Sequence, residues 1–313
     1  MNKIPIIVVA GPTASGKTSL GIAVCKKFSG EVISADSMQI YKGMNIATAK
    51  PTKEETDGIP HHLIDVIDPE ERFSVAEFKR LAEEKISDIV SRGKLPVIVG
   101  GTGLYIDNLV ENIELADSEV DLELREKLTQ KAKKEGIEVL IEELKTIDPE
   151  YVQGLKEINK KRIIRALELW YTSGITVTEQ NRRSRLNGSP YRVCYLCLDA
   201  HDREILYNRI NIRVDKMVED GLLQEAEQFR QSKGITSAQA IGYKELDPYF
   251  NGEKTLQKAL DSLKQGTRRY AKRQLTWFRR NENAIHLYID EYESSEALCK
   301  TAFDIIENFL KEE

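Results

Sequence analysis

The sequence predicts an α/β protein in which a parallel sheet flanked by helices is interrupted by an all-helical insertion. Two observations predict it. In the first third, short apolar runs at 4–10, 31–35 and 95–99 alternate with helical patterns at 17–28 and 75–92, as parallel α/β sheets do. Directly after the first run, a glycine-bounded loop opens a helix, a junction that such sheets use to bind phosphate.

From about residue 117 to 189 the character changes to charged helical stretches at 121–135, 137–147 and 160–173, with no convincing strand. A strand-like run returns at 192–198, followed by helices at 202–220, 224–233 and 256–280, a last strand at 284–289 and a terminal helix. The expected organisation is a discontinuous core, 1–116 and 190–313, around a helical insertion at 117–189. No internal repeat or low-complexity segment stands out.

With 41% hydrophobic and 31% charged residues among 313, the chain has enough apolar material for a sizeable core and reads as globular. Its apolar runs fall well short of the ~20 residues that span a bilayer. The N-terminus lacks a secretory layout, so a cytoplasmic protein without a membrane partner is expected, and a monomer. A formal net charge of −5 gives no general signal for nucleic acid; only a local basic surface supplies one. Cys194 and Cys197 form a C-x-x-C inside the 192–198 run, where odd spacing points the thiols to opposite faces. Reduced core cysteines are expected there, not a zinc or redox site; the other two cysteines are Cys25 and Cys299.

Gly11-Pro12-Thr13-Ala14-Ser15-Gly16-Lys17-Thr18 matches G-x-x-x-x-G-K-[ST] in strand–loop–helix context and is a P-loop. Its glycines let backbone N–H groups and the helix N-terminus wrap a phosphate. Lys17 adds a charge that follows developing negative charge, and the Thr18 hydroxyl is a candidate ligand for Mg²⁺. Alone, the motif says only that a phosphorylated ligand is held, and a kinase leads. The second strand runs into Asp36-Ser37-Met38-Gln39-Ile40-Tyr41, just past a C-terminal strand end beside the P-loop. Asp36 suits a general base or an outer Mg²⁺ partner, and equally a helix cap. Gln39 has the donor and acceptor to read a base edge; Met38 and Ile40 are candidate apolar walls.

These residues resemble the tRNA dimethylallyltransferase (isopentenyltransferase) family, whose motifs G-P-T-A-S-G-K-T and D-S-x-Q-[VI]-Y stand here as Gly11–Thr18 and 36–41. The likeness continues through 43–51, His61-His62-Leu63-Ile64-Asp65, Gly100-Gly101-Thr102-Gly103-Leu104-Tyr105, Arg165-Ala166-Leu167-Glu168 and 271–279, nearly the whole chain. It implies a P-loop NTPase-like fold and transfer of the dimethylallyl group of dimethylallyl diphosphate to N6 of the adenosine immediately 3′ of the anticodon in tRNA. Diphosphate leaves. By the same resemblance Asp36 takes the N6 proton, Gly11 and Thr13, Ala14, Ser15, Gly16, Lys17 and Thr18 hold the diphosphate with Mg²⁺, and Thr102 contacts the leaving group or substrate. Arg125, Arg209 and Arg213 resemble family arginines near the diphosphate or tRNA. The adenosine stands in a stacked anticodon loop, so its base has to be extruded, and a channel between core and insertion would serve.

For the RNA, Lys264, Arg268, Arg269, Lys272, Arg273, Arg279 and Arg280 fall in one helical stretch without an acidic residue, on about half of the wheel at ~100° per residue. Tyr270, Ala271, Trp277 and Phe278 fill much of the other half, an amphipathic arrangement suited to a phosphate track. Lys160-Lys161-Arg162-Ile163-Ile164-Arg165, with Arg182, Arg183 and Arg185 downstream, aligns with a family tRNA-contact motif that usually begins Gln-Arg. Lys161 stands in place of that Gln, a change that keeps a phosphate contact. Ser37, Gly242 and Tyr243 also fall in segments like those the family places near tRNA. The adjacent His61 and His62 read as structural, not as metal ligands. No zinc-finger spacing follows Ala284, so the resemblance is to the compact bacterial form. Three alternatives stay open at this level: prenylation of a free adenylate, a small-molecule P-loop kinase, and a non-catalytic RNA-binding NTPase.

Overall fold

The structure is a computed structural model and describes residues 3–113, 121–155, 157–184, 186, 188–230 and 240–312. The chain divides into two compact units, residues 1–110 with 190–313, and residues 111–189.

In the first unit, strands β1 (Ile4–Ala10), β2 (Gly30–Ser34), β3 (His61–His62), β4 (Leu95–Gly100), β5 (Tyr191–Asp199) and β6 (Ile285–Tyr288) form one parallel sheet in the order β3-β2-β4-β1-β5-β6. It is a P-loop NTPase-like sheet flanked by helices. The helices, in chain order through both units, are α1 (Lys17–Phe28), α2 (Lys53–Thr56), α3 (Val75–Ser91), α4 (Gly103–Val110), α5 (Leu122–Glu135), α6 (Ile137–Ile147), α7 (Pro149–Gln153), α8 (Lys160–Ser173), α9 (Val177–Ser184), α10 (Arg203–Glu219), α11 (Leu222–Phe229), α12 (Asp247–Phe250), α13 (Leu256–Phe278) and α14 (Ser295–Lys311).

Alternation along each strand feeds two cores. Ile6, Val8, Ile33 and Ile98 pack with Phe78, Ile86 and Ile106 of α3 and α4, while Ile7, Val9, Val32 and Val97 pack with Leu20 and Val24 of α1 and Ala302 and Ile306 of α14. Cys197 joins the first core and Cys194 the second, so the two thiols face opposite sides of the sheet as their spacing requires, and all four cysteines are free. Helix starts follow local chemistry: Ser74 and Glu77 form a reciprocal capping box on α3, and Asn159 caps α8 through the amides of Lys161 and Arg162.

The strand β3 is the one sheet element that the hydropathy pattern does not show. It is two polar residues long, held by pairing to β2 and by the side chains of its neighbours. His62 Nε2 lies 2.7 Å from Glu31 Oε2, and Glu31, 2% exposed, also accepts from Arg92 and Lys94. Arg92 chiefly, with Lys94 and His62, holds the Glu31 carboxyl far below the usual carboxylate range against the cost of burial. His61 Nδ1 lies 2.8 Å from the carbonyl of Ile59. Both histidines brace this strand through these contacts.

Helices α5 to α9 make up the second unit, around Leu128, Leu140, Leu144, Ile163, Ile164 and Leu167. The helix expected at 224–233 ends at Phe229, and residues 231–233 lie outside the described residues, as does Arg185.

Candidate active site

The P-loop leaves β1 and enters α1 through Gly16 at φ +94°, a left-handed conformation that favours glycine, with Ala14 also left-handed at φ +64°. Lys17 turns its Nζ back onto the carbonyl of Pro12 at 3.2 Å. Burial, then the charge of Arg213, lower its pKa to about 8, opposed by the carboxylate of Asp36. Ser15 is 2% exposed and its hydroxyl has no hydrogen-bond partner among the described residues, an orphan donor within the phosphate cradle.

A cavity of about 360 Å³ opens beside this loop. Thr13, Lys17, Thr18, Asp36, Ser37, Met38, Arg213, Gly242 and Arg273 all line it, so residues far apart in the chain meet at one place. Asp36 fills the capping role and keeps one carboxylate oxygen available at the cavity. Its Oδ1 accepts the amides of Met38 at 2.9 Å and Gln39 at 3.3 Å, as a cap does, and no hydrogen bond engages its second oxygen among the described residues.

Several residues have other work than their motifs suggested. Gln39 lines the cavity, but its amide is already engaged at both ends. Ser34 Oγ donates to its Oε1 at 3.1 Å, and its Nε2 donates to the carbonyls of Thr48 and Ala49 at 3.3 and 3.1 Å, which fixes a loop and leaves little to read a base. Thr102 is not among the lining residues; its Oγ1 accepts the amide of Ser37 at 3.1 Å and so holds the chain next to Asp36. Ile40, 1% exposed, belongs to the core and forms no wall. Tyr243 is buried, with its hydroxyl donating to Glu225 Oε1 at 3.0 Å.

Arg209 is exposed on α10 and does not line the cavity; Arg213, about one turn on, does. Arg125 lies in the second unit, where its Nε and Nη2 grip the fully buried carboxylate of Glu168 at 2.7 to 3.1 Å, an ion pair within that unit. In the same unit Ile163 and Ile164 are core residues, because a helix that exposes Lys161, Arg162 and Arg165 turns the positions between them inward.

The basic stripe of α13 has compensating groups that no local reading finds. Lys264 Nζ meets Asp215 of α10 at 2.5 Å, Arg268 donates to Asn211 at 2.7 Å, and Arg279, just past the helix end, clamps the buried Asp199 at 2.8 Å. Lys272 and Arg273 are exposed.

Two residues of α13 complete the site: Gln274, which the sequence does not single out, and Tyr270, which it places only on the apolar half of the helix. Gln274, 6% exposed, accepts the Thr13 amide at its Oε1 and donates from its Nε2 to the carbonyl of Gly101, both at 2.9 Å. A Cβ on Gly101 would stand 2.2 Å from that nitrogen, so the glycine is what admits the bridge. Tyr270 lines the cavity, with its hydroxyl in hydrogen-bonding reach of Thr102 and Gln274; burial, then Asp36, raise its phenol above the usual range. The available signal was a polar residue, Gln274, on the apolar side of an amphipathic helix.

A P-loop, two half-buried cations and a carboxylate around one cavity define a P-loop enzyme acting on a phosphorylated substrate. The family described as IPP transferase matches residues 39–281. A tRNA dimethylallyltransferase of Acetivibrio thermocellus is 48% identical over 298 residues, covering 94% of this chain and 95% of the relative. The crystal structure of the tRNA isopentenylpyrophosphate transferase of Bacillus halodurans superposes with a TM-score of 0.74 at 42% identity, covering 99% of this chain and 98% of that one. A eukaryotic dimethylallyltransferase crystallised acting on tRNA gives 0.81 at 30% identity, covering 97% and 80%. The chain belongs to the IPP transferase family, the tRNA dimethylallyltransferases.

Proposed function

We propose that this protein transfers the dimethylallyl group of dimethylallyl diphosphate to N6 of the adenosine immediately 3′ of the anticodon in tRNA. The observation that carries the reading is the single cavity lined by both the P-loop cation Lys17 and the carboxylate of Asp36, in a chain of this family. The donor's diphosphate rests on residues 11–18, where the backbone amides, the orphan Ser15 hydroxyl, Lys17 and Arg213 offset its charge. That neutralisation makes diphosphate a leaving group. As the C1–O bond breaks, the N6 lone pair forms the new C–N bond, and the unengaged oxygen of Asp36 takes the N6 proton. Met38, Ala47, Met217, Leu222, Ile241 and Leu263 give the cavity an apolar side that keeps water from the allylic carbon.

The residues fit Mg²⁺. Among the described residues no cluster of three or more His, Cys, Asp or Glu forms a protein cage, whereas the Thr18 hydroxyl lines the cavity with Asp36, the sparse set that Mg²⁺ uses when substrate phosphates and water complete its shell. Bound by Thr18 and the diphosphate, the ion would supply further charge neutralisation. Exposed Lys272 and Arg273 on α13, and exposed Lys161, Arg162 and Arg165 on α8, are the cations proposed to meet the RNA backbone. No helix among the described residues is long and apolar enough to cross a membrane.

The test is incubation with labelled dimethylallyl diphosphate, Mg²⁺ and an anticodon stem-loop with adjacent adenosines, without ATP. Label enters the stem-loop. Label in AMP but not in the stem-loop overturns the assignment.

A further inference from the structure

Part of the cavity wall is built from two segments with no regular structure, residues 45–49 and 240–242, and a buried carboxylate joins them. Glu225 on α11 is 8% exposed. Its Oε2 accepts the amides of Asn45 and Ile46, both at 2.8 Å, and its Oε1 accepts the amide of Ala47 at 2.9 Å and the hydroxyl of Tyr243 at 3.0 Å. Four donors converge on one carboxylate, so all of its acceptor sites are used. The carbonyl side of the same loop is held by Gln39 at Thr48 and Ala49. Gly242 packs against it: a Cβ there would stand 2.9 Å from the Cβ of Ala47. Ala47, Thr48, Ala49, Ala240, Ile241 and Gly242 all line the cavity, whereas Glu225 itself does not.

We infer that Glu225 is a positioning residue for the transfer reaction: it fixes the wall that sets where the reacting groups meet, without touching either substrate. This rests on the proposed function. Diphosphate on the P-loop and RNA phosphates on exposed cations are bound through residues other than these segments, so loosening the wall leaves affinity nearly intact and spoils alignment. The effect therefore falls on kcat. A misplacement of about 1 Å is enough for a loss of about 100-fold.

The experiment compares the wild-type protein, Glu225→Gln and Tyr243→Phe in steady-state transfer of dimethylallyl to the stem-loop. Glu225→Gln is nearly isosteric but turns one acceptor into a donor that faces N–H and O–H donors. It is expected to lower kcat by about 10- to 100-fold with both KM values within about threefold. Tyr243→Phe removes one donor of the four and lowers kcat by about threefold, again at constant KM. Wild-type kcat in Glu225→Gln, or a raised KM with kcat unchanged in either variant, overturns the inference. Should Glu225→Gln not fold, Tyr243→Phe decides alone, with unchanged kcat counting against it. A wild-type protein that labels no stem-loop fails the proposed function instead, which keeps the two outcomes apart.

Discussion

Gln274 accepts the backbone amide of Thr13 at 2.9 Å, a hydrogen bond between residues 261 positions apart that ties α13 to the phosphate cradle. The same side chain donates to the carbonyl of Gly101, so the P-loop and the loop after β4 share one brace. Gln274→Ala leaves both backbone groups without this partner, and buried groups left so cost about 1–3 kcal/mol. Urea unfolding reads that loss, and titration with inorganic pyrophosphate shows weaker binding than wild type. A variant with unchanged stability and pyrophosphate affinity removes the brace from the account.

Lys17 predicts a pH dependence of definite sign. Its folded-state pKa, about 8, lies below the ordinary 10.5, first through burial and then through Arg213. Between these values the unfolded chain holds a proton that the folded one has lost, so the Lys17 contribution to stability rises with pH over that window. Phosphate binding runs the other way, because it needs the charged amine. Pyrophosphate affinity of the wild type, relative to Lys17→Met at each pH, is expected to fall by up to about tenfold per unit above pH ~8. A ratio that stays flat to pH ~10 contradicts the burial of this lysine.

Arg125 is predicted to act on stability. Glu168 is fully buried, and Arg125→Ala removes its bidentate partner while Arg165 remains 3.3 Å away. Breaking such a pair costs about 3 kcal/mol, the lower end of the usual loss, since one cation stays. Chemical denaturation measures it. Unchanged stability together with weakened pyrophosphate binding restores the diphosphate role for this arginine.

What was legible in the sequence is what is contiguous in it. The P-loop, the strand-to-Asp36 junction and the alternation that sends Cys194 and Cys197 to opposite cores each lie within a few residues, where spacing alone sets direction. The rest depends on partners that spacing does not bring together. Asp215 and Asp199 neutralise Lys264 and Arg279 from other elements, so a helix without acidic neighbours is less free a cation surface than its wheel suggests. Gln39 has the chemistry to read a base, but the carbonyls of Thr48 and Ala49 take its donor first. The strand at His61 and His62 is too short for any period to show.

One substitution tests directly the proposal that Asp36 is the base in a cavity shared with the diphosphate cradle. Asn at position 36 keeps an oxygen for the Met38 and Gln39 amides and removes the basic carboxylate, so the cap survives while proton removal does not. Single-turnover transfer to the anticodon stem-loop is predicted to slow by about 10²- to 10⁴-fold in Asp36→Asn, with pyrophosphate affinity unchanged. Transfer at the wild-type rate would contradict the account.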